Sequence, residues 1–214
     1  KPRPIIVIVT GEVLNDGLYT LSAIDRANKA IEEANKPTRY QTEREAAKVI
    51  AAMSSRNVVL RHKDGSRDRV DLVKYLSTKE DRWNPFLREG DVIIVPQKNS
   101  AKNAFGIYGE VNSPGRYEYV EGDSLHDALE IGQGFTRLAI KDSVEFARLN
   151  IDGTVLTLRT MNAEAVLDGR EADIRLEPGD RIIVRAKKEL REDYRVTVQG
   201  EVLYPGVYPI TRNR

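Results

Sequence analysis

The sequence contains no cysteine, which excludes disulfide frameworks, thiolate nucleophiles and cysteine-held metals. A cysteine-free chain suits a periplasmic protein that avoids stray disulfides, and it suits many cytosolic ones as well. Only two histidines are present, His62 and His126, with no recognisable nucleophile motif. No pair has metal-ligand spacing, so we expect no catalytic residue, no metal and no cofactor, and no enzymatic activity. Neither sign of charge dominates: the net charge is +1 although 31% of residues are charged, giving no reason to expect nucleic acid or an acidic membrane as partner. Long apolar runs are also missing. The longest, Ile5–Val9 and Val92–Val95, are strand-length and far short of the ~20 residues that span a bilayer. No signal peptide is visible, and the chain begins at Lys1. It stops at Arg214, a hairpin into a repeat, and we read it as an excised piece of a longer protein.

What is present is a repeat. Ile107-Tyr108-Gly109-Glu110-Val111-Asn112-Ser113-Pro114-Gly115-Arg116-Tyr117 has one copy before it and another after it. The first runs through Gly11-Glu12-Val13 and Gly17 to Tyr19; the last runs through Gly200-Glu201-Val202 and Pro205-Gly206 to Tyr208. Each reads as a strand, a tight turn and a returning strand. Pro114-Gly115 and Pro205-Gly206 predict a type II turn, whose second position needs φ > 0. The Gly before Glu marks a bulge or a close backbone approach. The unit ends also match: Leu87-Arg88-Glu89-Gly90-Asp91 precedes one closing strand and Leu176-Glu177-Pro178-Gly179-Asp180 the other. Units of about 90 residues exceed the ~20–50 of solenoid repeats, so these are tandem small domains. We place them at 1–98, with an enlarged helical insertion, and at 103–188, followed by the opening hairpin of a third at 194–214.

Within unit 1, Ser22 to Asp25 reads as an N-cap with its acid, opening a helix with Ile24, Ala27, Ile31 and Ala34 at helical spacing. Thr42 to Glu45 is a second capping box, and Asp64-Gly65 joins two strands as a hairpin. Gln97–Lys102 reads as a polar linker. In unit 2, Ser124 to Asp127 caps a helix, Gly132-Gln133-Gly134 ends it as a left-handed C-cap, and Asp152-Gly153 marks the second hairpin.

The Gly-Glu-Val…Pro-Gly…Tyr opening, the Leu-x-x-Gly-Asp-x-Ile-x-Val ending and the helix exit Ile131-Gly132-Gln133-Gly134-Phe135 resemble the SLBB (soluble-ligand-binding β-grasp) module. The tandem arrangement is similar to that of bacterial outer-membrane polysaccharide export proteins. Unit 1 departs from the pattern, with Asp16 where the turn proline is usual and no Gly-Gly helix exit. The resemblance implies an α+β fold of tandem β-grasp domains, each a small mixed sheet wrapping a helix. It implies a periplasmic part of an outer-membrane-associated protein, working in rings of its own copies around a passage for capsule or exopolysaccharide. An inner-membrane export partner belongs to the same expectation. A glycan or small-ligand binding module without transport is the alternative.

Candidate contacts follow from both lines. Tyr19, Tyr117 and Tyr208 share one repeat position, with Tyr108 and Tyr119 nearby, and Trp83 lies in a separate loop. Aromatic faces and hydroxyls suit sugar rings or subunit contacts, although a repeated strand position more simply packs. Gly90-Asp91 and Gly179-Asp180 read as turns in which Asp bonds nearby backbone. Glu12, Glu110 and Glu201 are expected to bond backbone at the strand bend. His62, before a hairpin tip, and His126, in a helix first turn, are expected in surface or capping roles.

Overall fold

The computed structural model describes residues 2–99, 103–150, 154–187 and 194–210. Strand β1 (Pro4–Gly11) alternates, burying Ile5, Val7 and Val9 and exposing Ile6 and Ile8, as a sheet with one covered face requires. It pairs antiparallel with β2 (Gly17–Ser22). Helices α1 (Ala27–Ala34) and α2 (Glu43–Ala52) follow, then the hairpin β3 (Val58–Arg61) and β4 (Arg67–Val70). After α3 (Leu72–Thr78) and a 3-10 turn at Asp81–Trp83, β5 (Val92–Val95) inserts parallel to β1 and antiparallel to β3. The sheet order is β2-β1-β5-β3-β4.

Unit 2 has the same plan: β6 (Ala104–Gly109), β7 (Gly115–Glu118), α4 (Leu125–Ile131), β8 (Val144–Leu149), β9 (Val155–Met161), α5 (Ala163–Leu167) and β10 (Arg181–Val184). Its order, β7-β6-β10-β8-β9, matches the first sheet position for position. Both are small mixed sheets with a helix on one face, the β-grasp architecture. The cores differ in how helix and sheet meet. Helix α1 presents Ala27, Ala30, Ile31 and Ala34, small enough for close approach, whereas α4 presents Leu125, Ala128, Leu129 and Ile131. Val73 of α3 packs into the core of unit 2, so the cores are not independent. Strands β11 (Tyr194–Val198) and β12 (Gly206–Ile210) make a two-stranded hairpin.

The capping boxes at Thr42–Glu45 and Ser124–Asp127 are both formed. The Asp64-Gly65 turn is formed too, with Gly65 at φ +88°; Asp152-Gly153 lies outside the described residues. Ser22 does not cap a helix. It ends β2, paired with Pro4, and Asp25 accepts its N–H at 2.8 Å to close the turn. Helix α1 therefore starts later, at Ala27, and Ile24 is left exposed.

The type II turn is also absent. Gly115 and Gly206 do not take positive φ; each begins the returning strand, with the Tyr ring two residues on lying against it. Gly17, at φ +158°, is extended. At the exit of α4 the left-handed residues are Gln133 (φ +58°) and Gly134 (φ +70°), and Gly134 N–H returns to Leu129 O at 2.9 Å. Gly132 stays near helical values and is small for packing, since a Cβ there would meet Ile107 Cδ1 at 3.3 Å. The start of the linker is docked rather than free: Lys98 N–H donates to Ala52 O at 2.7 Å.

Candidate functional site at the junction of the two units

The three-fold repeated turn has a structural explanation. Val13, Val111 and Val202 each donate their N–H to the carbonyl of the Gly two residues earlier, at 2.8, 2.9 and 2.9 Å, closing a γ-turn on the central Glu. Gly11 and Gly109 hold φ of +107° and +87°, and a Cβ on either would lie 2.1 or 2.0 Å from the carbonyl oxygen of Val95 or Val184. Only glycine fits where the closing strand passes this near. Glu12 and Glu110 donate their N–H to those same carbonyls. The Glu110 carboxylate also accepts from Thr136 Oγ1 at 2.7 Å. Glu201 is exposed.

Each repeated tyrosine closes its own hairpin. The hydroxyls of Tyr19, Tyr117 and Tyr208 donate to the carbonyls of Asn15, Ser113 and Tyr204, four residues back, at 2.5, 2.7 and 2.7 Å. Tyr119 packs against the unit 2 core, and the Tyr108 ring lies over Gly106. Pro114 and Pro205 are exposed turn residues. The three repeated tyrosines sit on three separate hairpins, and Tyr108 shares the second of these with Tyr117.

The Gly-Asp pairs do more than turn the chain. Gly90 and Gly179 take φ of +81° and +97°, and Asp91 and Asp180 accept the N–H of Arg88 and Glu177 at 2.7 and 2.8 Å, the expected local bond. Each buried aspartate also meets a basic side chain. In unit 1 that side chain is His62, which is not a surface residue. Its Nδ1 faces Asp91 at 2.8 Å and its Nε2 faces Asp68 at 3.0 Å, with the ring buried. The Asp68 hydrogen bond first, then the bond and charge of Asp91, hold the imidazole above its ordinary pKa, against burial and Arg88. In unit 2 the counterpart is Arg148, which grips Asp180 through Nε and Nη2 at 2.9 and 2.8 Å. His126 is half-buried in the first turn of α4, 3.4 Å from Glu130.

The polar groups that do converge lie between the units. Arg56 is 2% exposed and uses all five of its N–H donors. Nε and Nη2 reach Asp71 Oδ2 at 3.0 and 2.9 Å; Nη1 and Nη2 reach Asp123 Oδ2 and Oδ1 at 2.9 and 3.0 Å; Nη1 also reaches the main-chain oxygen of Glu118. Asp71 belongs to unit 1, where its other oxygen caps α3 through Lys74 N–H. Asp123 and Glu118 belong to unit 2. Around this fork, Ser54 Oγ and Asn57 Nδ2 donate to the Glu118 carboxylate at 2.6 and 2.9 Å. Lys74 Nζ donates to Asp127, which completes the capping box of α4, at 2.7 Å. Burial raises the Asp71 carboxyl above its ordinary pKa despite Arg56. Burial also acts on Asp127, but Lys74 and Ser124 outweigh it and hold that carboxyl low. No buried side-chain polar atom among the described residues lacks a partner.

Trp83 stands at the margin of this junction, half-buried, with Lys74 Nζ and Arg82 Cζ each 4.7 Å from its ring and Nε1 donating to Glu80 at 3.0 Å. Beside it, Leu76, Ser77 and Thr78 of α3 face Leu129 and Glu130 of α4, Gln133, Gly134 and Leu167 across an open groove of about 330 Å³. The lining is mixed: Leu76, Leu129 and Leu167 stand beside Ser77, Thr78, Glu130 and Gln133. The sequence reading missed Arg56, Lys74, Asp71, Asp123 and Asp127. Arg56 and Asp123 are separated by 67 positions, and no local pattern joins them.

Residues 105–158 match the family model of the SLBB domain, a span from β6 into β9 that contains α4, Glu118 and Asp123. No curated protein matches the chain.

Proposed function

We propose, from the premise that the chain carries an SLBB domain, that it is a structural segment of a polysaccharide export protein. In this reading it stands in the periplasm as part of an outer-membrane-associated protein. It assembles with copies of itself around a path for capsule or exopolysaccharide and meets an inner-membrane export partner. It performs no reaction. The observation that carries the reading is the junction: two β-grasp units tied through a buried guanidinium that bonds Asp71 of its own unit and Asp123 and the Glu118 carbonyl of the other. A wall element must hold fixed geometry between its modules, and a fully satisfied buried ion network specifies one arrangement. Assembly with copies has its own support in the uncovered face of the first sheet. There Leu18, Ile8 and Val92 form a row across β2, β1 and β5, with Leu18 71% exposed.

The groove between α3 and α4 favours a second reading, in which the junction holds a soluble sugar or small ligand without transport. One experiment separates the two. Deleting the gene is expected to abolish surface polysaccharide while cytoplasmic precursor still forms. Normal surface polysaccharide in the deletion strain would overturn the export reading and leave the binding module.

A further inference from the structure

The apolar row on the outer face of the first sheet ends at Val92, and beyond it the same face is basic. Arg61 of β3 pairs with Val92 on one side and with Arg67 of β4 on the other, so two arginines stand directly opposite one another. Arg69 is the next outward position along β4, opposite Val59. Lys63 continues the line past Arg61, its stem lying near Gly90. All four basic residues are exposed, and among the described residues none has a carboxylate partner. The two acids of this hairpin are occupied elsewhere. Asp64 accepts from Ser66 N–H and Oγ at 2.8 and 2.6 Å, and Asp68 faces His62 on the other side of the sheet. Like charges placed directly opposite destabilise a strand pair. The fold does not require them: in unit 2 Ala147 pairs with Arg181 as Arg61 does with Val92, and the positions answering Arg67 and Arg69 are Leu158 and Thr160.

We propose that the outer face of the β3–β4 hairpin binds an acidic polysaccharide, with Arg61, Arg67 and Arg69 meeting the carboxylates of successive sugars. The inference rests on the export reading for the kind of polymer, and on the hairpin alone for its charge. Outward residues two apart on a strand stand about 6.6 Å from each other, and opposed ones about 5 Å. The cations therefore form a row along the hairpin, suited to repeated anions rather than to one. Each guanidinium fork fits a carboxylate through two parallel hydrogen bonds. An acidic polypeptide is the weaker occupant, because peptide contacts centre on an aromatic or aliphatic anchor in a pocket, and these arginines stand on an open strand face. A second copy is weaker too. The acids that unit 2 brings together, Glu118, Asp123 and Asp127, are already spent on Ser54, Arg56 and Lys74 across the junction. A bound polyanion removes the repulsion that the free hairpin carries, so binding and local stability rise together.

The test is calorimetric titration of the whole chain with polygalacturonate, a linear polyuronate, and with dextran, a neutral glucan. Polygalacturonate is expected to bind and dextran is not. The double variant Arg61→Gln, Arg67→Gln is expected to weaken binding by about tenfold or more. Its unfolding midpoint without polymer is expected to hold or rise, because the opposed charges are gone. Arg159→Gln with Arg181→Gln removes the same charge from unit 2 and is expected to leave binding unchanged. Absence of polygalacturonate binding at about 0.05 M salt, where screening is weak, would overturn the proposal. So would equal loss in the unit 2 variant, which would reduce the effect to net charge. Equal binding of poly-L-glutamate would assign the face to an acidic polypeptide and overturn it as well. Loss of polymer binding as the chain self-associates at higher concentration would assign the face to a second copy, with the same consequence. The export reading falls separately: normal surface polysaccharide in the deletion strain would remove it with the binding intact, whereas failed binding with export lost on deletion would remove this proposal alone.

Discussion

Units 1 and 2 solve one electrostatic problem with different residues. Each closing strand starts with a buried aspartate, Asp91 or Asp180, held in a tight turn. Register fixes the position that answers it. Leu60 pairs with Ile93 as Phe146 pairs with Ile182, and two residues further along stand His62 and Arg148. Arginine carries a permanent charge and a fork that fits a carboxylate. Histidine carries a charge that can be removed near neutral pH. Two copies of one fold therefore share a contact but not its conditions: the unit 1 turn is held by a titratable cation and the unit 2 turn is not.

The largest effect is expected where the units stop being separate. Arg56→Met leaves Asp71 without the guanidinium and Asp123 with only Lys74 Nζ, 3.4 Å away, and loss of one partner of a buried pair costs about 3–5 kcal/mol. Urea unfolding monitored separately at Trp83 and in unit 2 should shift to lower midpoint and split into two transitions. A single transition at the original midpoint would mean that the junction does not couple them.

Next come the glycines. Gly11→Ala and Gly109→Ala should each cost about 2–3 kcal/mol, because the methyl group meets a strand carbonyl and the left-handed backbone is strained as well. Gly200→Ala should cost only the strain, about 1–2 kcal/mol within its hairpin, since none of the described residues lies within 4 Å of a Cβ there. Equal costs at all three, by denaturation and local exchange, would remove the close-approach explanation.

The His62–Arg148 contrast makes the third prediction. A folded pKa above the unfolded value means the imidazolium contributes stability in full below about pH 6.5, lost as pH rises through the raised value. Exchange in β3 and β5 should accelerate on that rise, once corrected for the chemical rate, while β8 and β10 hold steady. His62→Arg should erase the difference, and Arg148→His should move it to unit 2. Parallel behaviour of both sheets in the parent protein would contradict the assignment. The smallest effect is that of Tyr117→Phe, which removes the hydroxyl's contacts with Ser113 O and Ser113 Oγ at a cost of about 0.5–1.5 kcal/mol, measurable as a small midpoint shift.

Local devices were legible in the sequence, and contacts across the fold were not. Both capping boxes lie within four consecutive residues, so their chemistry can be read directly. The glycine before Glu could be read as a close approach because the chain repeats it in register. The SLBB resemblance was carried by the same repetition, and the resemblance in turn implied the α+β, β-grasp fold. Ser22 was misread because sheet pairing with Pro4 outcompeted a helix start that looked locally adequate. His62 looked bland for a related reason: Asp68 reaches it across a hairpin and Asp91 across a sheet. The tyrosine ladder was visible, but its hydroxyls turn back to their own hairpins, which no spacing rule distinguishes from turning outward. The Arg56 fork had no signal at all, since each of its partners has a local task that already accounts for its presence.

Arg56 also sets which parts of the chain are free to change length. Its guanidinium reaches a cap, a strand end and a turn simultaneously, so Ser54–Asn57 and Glu118–Asp123 must each hold a fixed number of residues. One residue more in either segment moves a donor or an acceptor off the fork and strands a buried charge. The stretch 36–40 between α1 and α2 is exposed throughout and touches none of this. Insertions there should pass unnoticed, which makes the helical region of unit 1 the place where this architecture can grow.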